Sequence, residues 1–203
     1  MTAIVLPTTP GIVTSSITRV SEGLAQRPAF GGISKYIQRA GTGRHIMAVT
    51  IPPQALGDTA ASWVGKLAQA LNDERIVRLG VPQLNDSFTS ITGALINGAA
   101  QLGKTLAIDT ASPSTATVKA GRYFSIIVSS VSYLFQNVTD TTLSGGAGTL
   151  THDGLLNRCS PADNTAIEFN TPIIEGYLGG DAESWTRDII IQQGLSFTIE
   201  EPA

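Results

Sequence analysis

His45 and His152 are the only histidines in this chain of 203 residues, and Cys159 is its only cysteine. A metal site would need a third ligand on a shared face, which neither histidine brings with it. His45 opens an apparent strand and reads as a surface or strand-edge residue, while His152-Asp153-Gly154 reads as a turn rather than as a base with its orienting carboxylate. Arg158 stands beside Cys159, but one basic neighbour does not make a reactive thiolate, so Cys159 reads as a buried or half-buried structural residue. The sequence holds no Gly-x-Ser-x-Gly elbow to strain a serine into a nucleophile. The carboxylates that pair in sequence, Asp181 with Glu183 and Glu200 with Glu201, read as solvated surface charges.

One phosphate-loop pattern is formally present, from Gly98 to Gly103-Lys104-Thr105. It is followed by residues of strand and turn type, Leu106 to Asp109 and then Ser112-Pro113-Ser114, which cannot start the helix whose free amides hold phosphate. Asn137-Val138-Thr139 matches a glycosylation acceptor by chance composition, since no secretion signal precedes it. Trp63 and Trp185, with Tyr36, Tyr123, Tyr133 and Tyr177, could stack on sugar rings or bases; Trp63 fits a helix stripe better, and the tyrosines fit strands that anchor a core or an interface. No catalytic, cofactor-binding or metal-binding residue is therefore assigned, and no cofactor is expected.

Composition narrows the elements that would have to position such a site. The chain is 42% hydrophobic but only 14% charged, against roughly 25% in an ordinary free monomer, which points to surface covered by partners or solvated by Ser, Thr, Asn and Gln. A net charge of −3 gives no cationic footprint for nucleic acid. No run approaches the length of a membrane-spanning helix, and the chain reads as a soluble one made in a cytoplasm.

Strand signals dominate. Runs rich in β-branched residues at 12–20, 34–38, 46–51, 75–81, 123–129, 187–191 and 195–199 are separated by Gly, Pro, Asn and Asp. One amphipathic helix is predicted at about 58–72, with Ala60, Trp63, Val64, Leu67, Ala70 and Leu71 in one stripe, Asp58 or Thr59 as cap and Asn72-Asp73 as stop. The helix should lie across one sheet face. A polar stretch at 84–92 marks a boundary, so the predicted organisation is one domain from 1–90 plus 171–203, with 91–170 inserted as a second. The first eleven residues read as a loose arm or an edge strand.

The middle of the chain carries an ordered series: Ile96-Asn97-Gly98-Ala99-Ala100-Gln101-Leu102-Gly103-Lys104-Thr105-Leu106, then Val118-Lys119-Ala120-Gly121-Arg122-Tyr123-Phe124-Ser125-Ile126, Tyr133-Leu134, and Gly154-Leu155-Leu156-Asn157-Arg158 before Pro161-Ala162-Asp163-Asn164. In this order the series resembles the distal tail, or minor tail, proteins of the tail tip of long-tailed siphophages. Those show an NGAGQTG segment, an AGDY strand entry, a proline-proline-leucine-arginine run and an APADG turn. The chain departs from them at Arg122, where aspartate is usual, and at Leu155 to Asn157, where the double proline is lost. A proline-ended strand, a Trp-containing helix and a strand with Arg78-Leu79-Gly80 extend the similarity over about residues 30–200.

The resemblance implies a mainly β fold, a tail-tube-like β-sandwich with one flanking α-helix, in which 91–170 is an inserted small β-barrel. It implies a structural virion protein of the tail tip, not an enzyme, whose copies close into a ring, six by the family's habit with three as the alternative. Its partners would be the tail tube protein above and hub or baseplate proteins below, with DNA only in transit and no membrane contact. Exposed sheet edges would be covered by neighbouring copies, at interface residues that the sequence does not name. A carbohydrate-binding module of the tail, using aromatic residues of 91–170 on host sugars, is the alternative, and a hydrolase comes last.

Overall fold

The computed structural model describes residues 3–20, 23–27, 32, 35–38, 43–55, 57–72, 76–83, 88–154, 156–179, 191–192 and 194–202. The first part of the chain forms β1 (Ile4–Val5), β2 (Thr14–Val20), β3 (Gly23–Gln26), β4 (Lys35–Gln38), β5 (Arg44–Thr50) and β6 (Gln54–Ala55), then the helix α1 (Asp58–Asn72) and β7 (Ile76–Gly80). The middle part forms β8 (Leu95–Ile96), β9 (Thr105–Asp109), β10 (Thr117–Val118), β11 (Tyr123–Val128), β12 (Val131–Gln136), β13 (Thr141–Thr142), β14 (Gly148–Thr151) and β15 (Ile167–Glu168). β16 (Ile173–Leu178), β17 (Ile191–Gln192) and β18 (Ser196–Glu200) complete it. The fold is mainly β with one flanking helix.

Six strands from the two ends of the chain make one sheet in the order β1-β7-β16-β18-β5-β2. Its inner face follows from period-2 alternation: on β5, Met47 and Val49 are buried while Ala48 between them is exposed, and on β18 Phe197 and Ile199 are buried. The apolar stripe of α1 covers this face, with Trp63 wholly buried and its ring 6.1 Å from that of Phe197. Trp63 Nε1 also donates to the carbonyl of Thr9 at 3.0 Å, and this anchor holds the N-terminal segment. Of the two readings of that segment, the edge strand is the one seen: β1 runs parallel to β7, and the amide of Leu6 donates to Arg78 O at 2.9 Å.

Residues from the middle of the chain surround a second, separate core that includes Phe124, Phe135, Phe169, Leu106, Ile108 and Leu150. It lies among the short sheets β12-β11-β15 and β14-β9-β8 and the pair β10-β13. Polar side chains tie down the connections between the two bodies. The Arg122 guanidinium lies over the rings of Phe88 (5.4 Å) and Phe169 (5.3 Å) and donates to Thr89 O, Phe169 O and Asn170 Oδ1. Gln83 donates to Phe169 O at 2.7 Å and accepts from the amide of Tyr123 at 3.0 Å. Among the described residues, no helix is long and apolar enough to cross a membrane. Most of the predicted strand at 187–191, and with it Trp185, Asp181 and Glu183, lies outside the described residues.

Candidate functional site

The titratable residues gather where β12 of the second body meets the six-stranded sheet. β12 pairs with β11 on one side, leaving Ser132, Leu134 and Gln136 with amides directed away from that partner. Each amide meets a carboxylate: Ser132 N donates to Glu175 at 2.8 Å, Leu134 N to Glu201 at 2.7 Å and Gln136 N to Asp153 at 2.9 Å. Two of their carbonyls are met as well, Leu134 O by Arg158 and Gln136 O by the amide of Asp153 at 3.0 Å, and Arg78 takes Ser130 O just before the strand. A strand edge that would otherwise invite another chain is thus closed from within. Glu175, Glu201 and Arg78 come from the six-stranded sheet, whereas Asp153 and Arg158 come from the second body.

His45 lies at the centre of this junction and is buried, which corrects its placement as a surface or strand-edge residue. It shares the inward phase of Met47 and Val49, and strand alternation carries it inside with them. Its Nδ1 is 3.1 Å from Glu201 Oε2 and its Nε2 is 2.9 Å from Asp153 Oδ2. Carboxylates only accept, so both contacts are hydrogen bonds together only when both ring nitrogens donate, that is, when the ring is an imidazolium. Burial opposes that charge, but hydrogen bonds and attraction from Asp153 and Glu201 outweigh it and raise the pKa of His45. Glu201 is also buried, 2% exposed, so its reading as a solvated charge is corrected as well. Glu200, on the opposite strand face, is half-buried and pairs with Arg44 at 2.7 Å.

Glu201 also takes Arg158 at 2.9 Å and the backbone amide of His45 at 2.8 Å. Arg158 and His45 hold its carboxyl below the usual range against the opposing effect of burial. Asp153 is likewise lowered against burial, by His45, the Gln136 amide and Arg19, whose Nε is 3.4 Å away. Arg158 reaches Gly43 O at 3.1 Å and lies 4.3 Å over the Phe135 ring, so it grips both bodies. Gly176 makes room for all this: a Cβ there would collide with the Glu200 carbonyl, whose strand crosses it closely on the way to Glu201.

The remaining candidates sit elsewhere. His152 is buried, its two ring nitrogens without partners among the described residues, edge-on to Phe135 (5.0 Å) and Phe124 (6.2 Å). Burial lowers its pKa to about 4. Asp153 therefore serves His45, not the histidine beside it in sequence. Cys159 is buried as expected, its thiol donating to Leu156 O at 3.3 Å, and burial pushes its pKa up to about 11 despite the neighbouring Arg158. Lys104 and Thr105 lead into β9, a strand, as the sequence predicted. Asn137 is buried and donates to Val118, Lys119 and Thr139 carbonyls. Tyr123 and Tyr133 are half-buried, the first edge-on to His45 at 6.3 Å and the second under Arg158 at 5.7 Å; Tyr177 is exposed, and the side chain of Tyr36 lies outside the described residues.

Comparison with protein-family models and with curated proteins finds no match for this chain. Chemically, the junction is a closed network in which each carboxylate is occupied by internal donors. Such a network fixes one body against another: desolvation offsets much of its attraction, while breaking one member leaves a buried charge unpaired.

Proposed function

We propose that this chain is a structural protein that works by assembly, as a ring-forming subunit of a phage tail tip, and that it carries out no catalysis. In this reading copies close into a ring, six or three, that joins the tail tube protein to the hub or baseplate proteins and leaves a channel for DNA in transit. Its place would be the virion, at the tail tip.

The observation that carries the proposal is a contrast between two strand edges. The β12 edge is closed by Glu175, Glu201, Asp153, Arg78 and Arg158. β2, seven residues long, ends the six-stranded sheet; among the described residues it pairs only with β5, and most of its first half is exposed, as is Val13 before it. An edge of that length is a template for another chain, and a protein that closes one edge while leaving the other long is built to join on the open side. The ordered motifs between Asn97 and Asp163 supply the tail-tip identity of the partners. His45, Glu175 and Glu201 are buried, Asp153 is largely covered, and all four are committed to internal bonds, which favours architecture over turnover.

Sedimentation and negative-stain imaging of the purified chain test this. Closed rings of tail-tube diameter are expected, and a Ser15→Pro change in β2, whose amide faces away from β5, removes a donor of the open edge and should leave monomers that keep the fold. A protein that stays monomeric at high concentration, or rings of unrelated diameter and symmetry, would overturn it.

A further inference from the structure

We propose that His45 is a proton-operated clamp: while both ring nitrogens carry protons it holds the body built by the middle of the chain against the six-stranded sheet, and loss of one proton loosens that junction at Asp153. The geometry requires two donors. Glu201 and His45 both belong to the sheet, at the end of β18 and on β5, whereas Asp153 follows β14 in the second body. The contact from Nε2 to Asp153 Oδ2, 2.9 Å, is therefore the one that crosses between the bodies.

Which contact fails when the ring becomes neutral follows from the competing donors. Glu201 Oε2 also receives the His45 backbone amide (2.8 Å) and Arg158 (2.9 Å), and stays anchored whatever the ring does. Apart from the ring, Asp153 Oδ2 has, among the described residues, only Arg19 at 3.4 Å. The neutral tautomer that keeps its proton on Nδ1, facing the carboxylate already fixed within the sheet, turns a lone pair toward Asp153. Two acceptors then face each other in a buried place, and the Asp153 corner must shift. The same Asp153 caps Gln136 N, so its movement opens the end of the β12 edge.

The charged and titratable groups that face the ring are Arg19 from β2, Tyr123 from β11, Asp153 after β14, Arg158 from the 3-10 turn Leu156–Arg158 and Glu201 after β18; Arg44 on β5 points to the other face and pairs with Glu200. Of these, His45 is the group whose second ring proton sustains the contact with Asp153. The other histidine, His152, has a pKa of about 4 and is uncharged near neutral pH. Because the folded pKa of His45 is raised, the clamp is fully closed below the unfolded value and is lost as pH rises through the folded one. The clamp depends on this junction and not on ring formation.

The test uses the whole chain, with NMR of the His45 ring and hydrogen exchange of single amides from about pH 6 to 9, corrected for intrinsic exchange rates. His45 should titrate above about 6.5. Gln136 protection should fall about tenfold or more with the same midpoint, while Ile108 and Leu106 in the second core keep theirs. His45→Gln, neutral throughout, should show weak Gln136 protection that no longer depends on pH. If that variant does not fold, the wild-type measurements decide alone. The clamp is overturned if Gln136 protection fails to track the His45 titration, if His45 titrates below about 6.5, or if the transition persists unchanged in His45→Gln.

Discussion

Replacing His152 by phenylalanine should make the protein more resistant to acid, by an amount set by the burial of the ring. The ring lies edge-on against the stacked pair Phe124 and Phe135 with neither nitrogen bonded among the described residues, so it is held neutral by burial, and its pKa falls from 6.5 to about 4. In the unfolded chain the same ring takes up a proton near 6.5. The depressed folded pKa means that the unfolded state binds more protons between these values, so stability is full above the unfolded pKa and drains away as pH falls toward the folded one. At about 1.4 kcal/mol per pKa unit, the penalty at the lower end is on the order of 3 kcal/mol. Phenylalanine matches the apolar surroundings and removes both unsatisfied nitrogens, each a burial cost of about 1–3 kcal/mol. A slightly larger ring offsets part of that gain by crowding, about 1 kcal/mol or more. At neutral pH the variant should therefore lie near or above the wild type. At about pH 4.5 its advantage should widen by about 2–3 kcal/mol. Urea denaturation at the two pH values measures both, and changes in Asp153, Glu201 and the exposed acids cancel to first order in the difference. A gap between the two proteins that does not change with pH, or an NMR titration of His152 near its ordinary value, would refute the reasoning.

Other expectations concern the junction and its approach. Glu201→Ala leaves the charges of His45 and Arg158 and the amide of Leu134 without their shared partner and should cost about 3–5 kcal/mol in urea unfolding, whereas Glu201→Leu combined with Arg158→Met should cost far less, because a buried pair replaced as a unit is often neutral. Gly176→Ala should destabilise by at least about 2 kcal/mol, since the methyl meets the Glu200 carbonyl and the strand must move; a wild-type melting temperature would count against the close crossing. The loop between β11 and β12 places Ser129 and Ser130 at positive φ, 50° and 67°, so Ser129→Asn with Ser130→Gly should raise stability by about 1 kcal/mol without changing the assembly state.

Local pattern made much of the fold legible. The helix ends where its stripe and cap residues place it, Asp58 to Asn72, because its periodicity and its Pro-Pro and Asn-Asp boundaries are neighbours in sequence. Runs at 12–20, 46–51, 123–129 and 195–199 became β2, β5, β11 and β18 for the same reason. The junction was missed although part of its signal was present. Counting by twos from Ile51, Val49 and Met47 reaches His45, and from Leu195, Phe197 and Ile199 it reaches Glu201, so both lie in the buried phase of their strands. Reading them as surface groups let residue type override strand phase.

The sequence by itself determined a charge-poor, cysteine-poor, mainly β chain with one helix, since propensity, alternation and turn chemistry act over a few neighbouring residues. Tertiary structure alone decided that Arg19, His45, Asp153, Arg158 and Glu201 meet. No short-range rule joins positions separated by more than a hundred residues. They come together because strands from both chain ends share one sheet, and the closing of that sheet against β12 sets which charges must neutralise each other away from water.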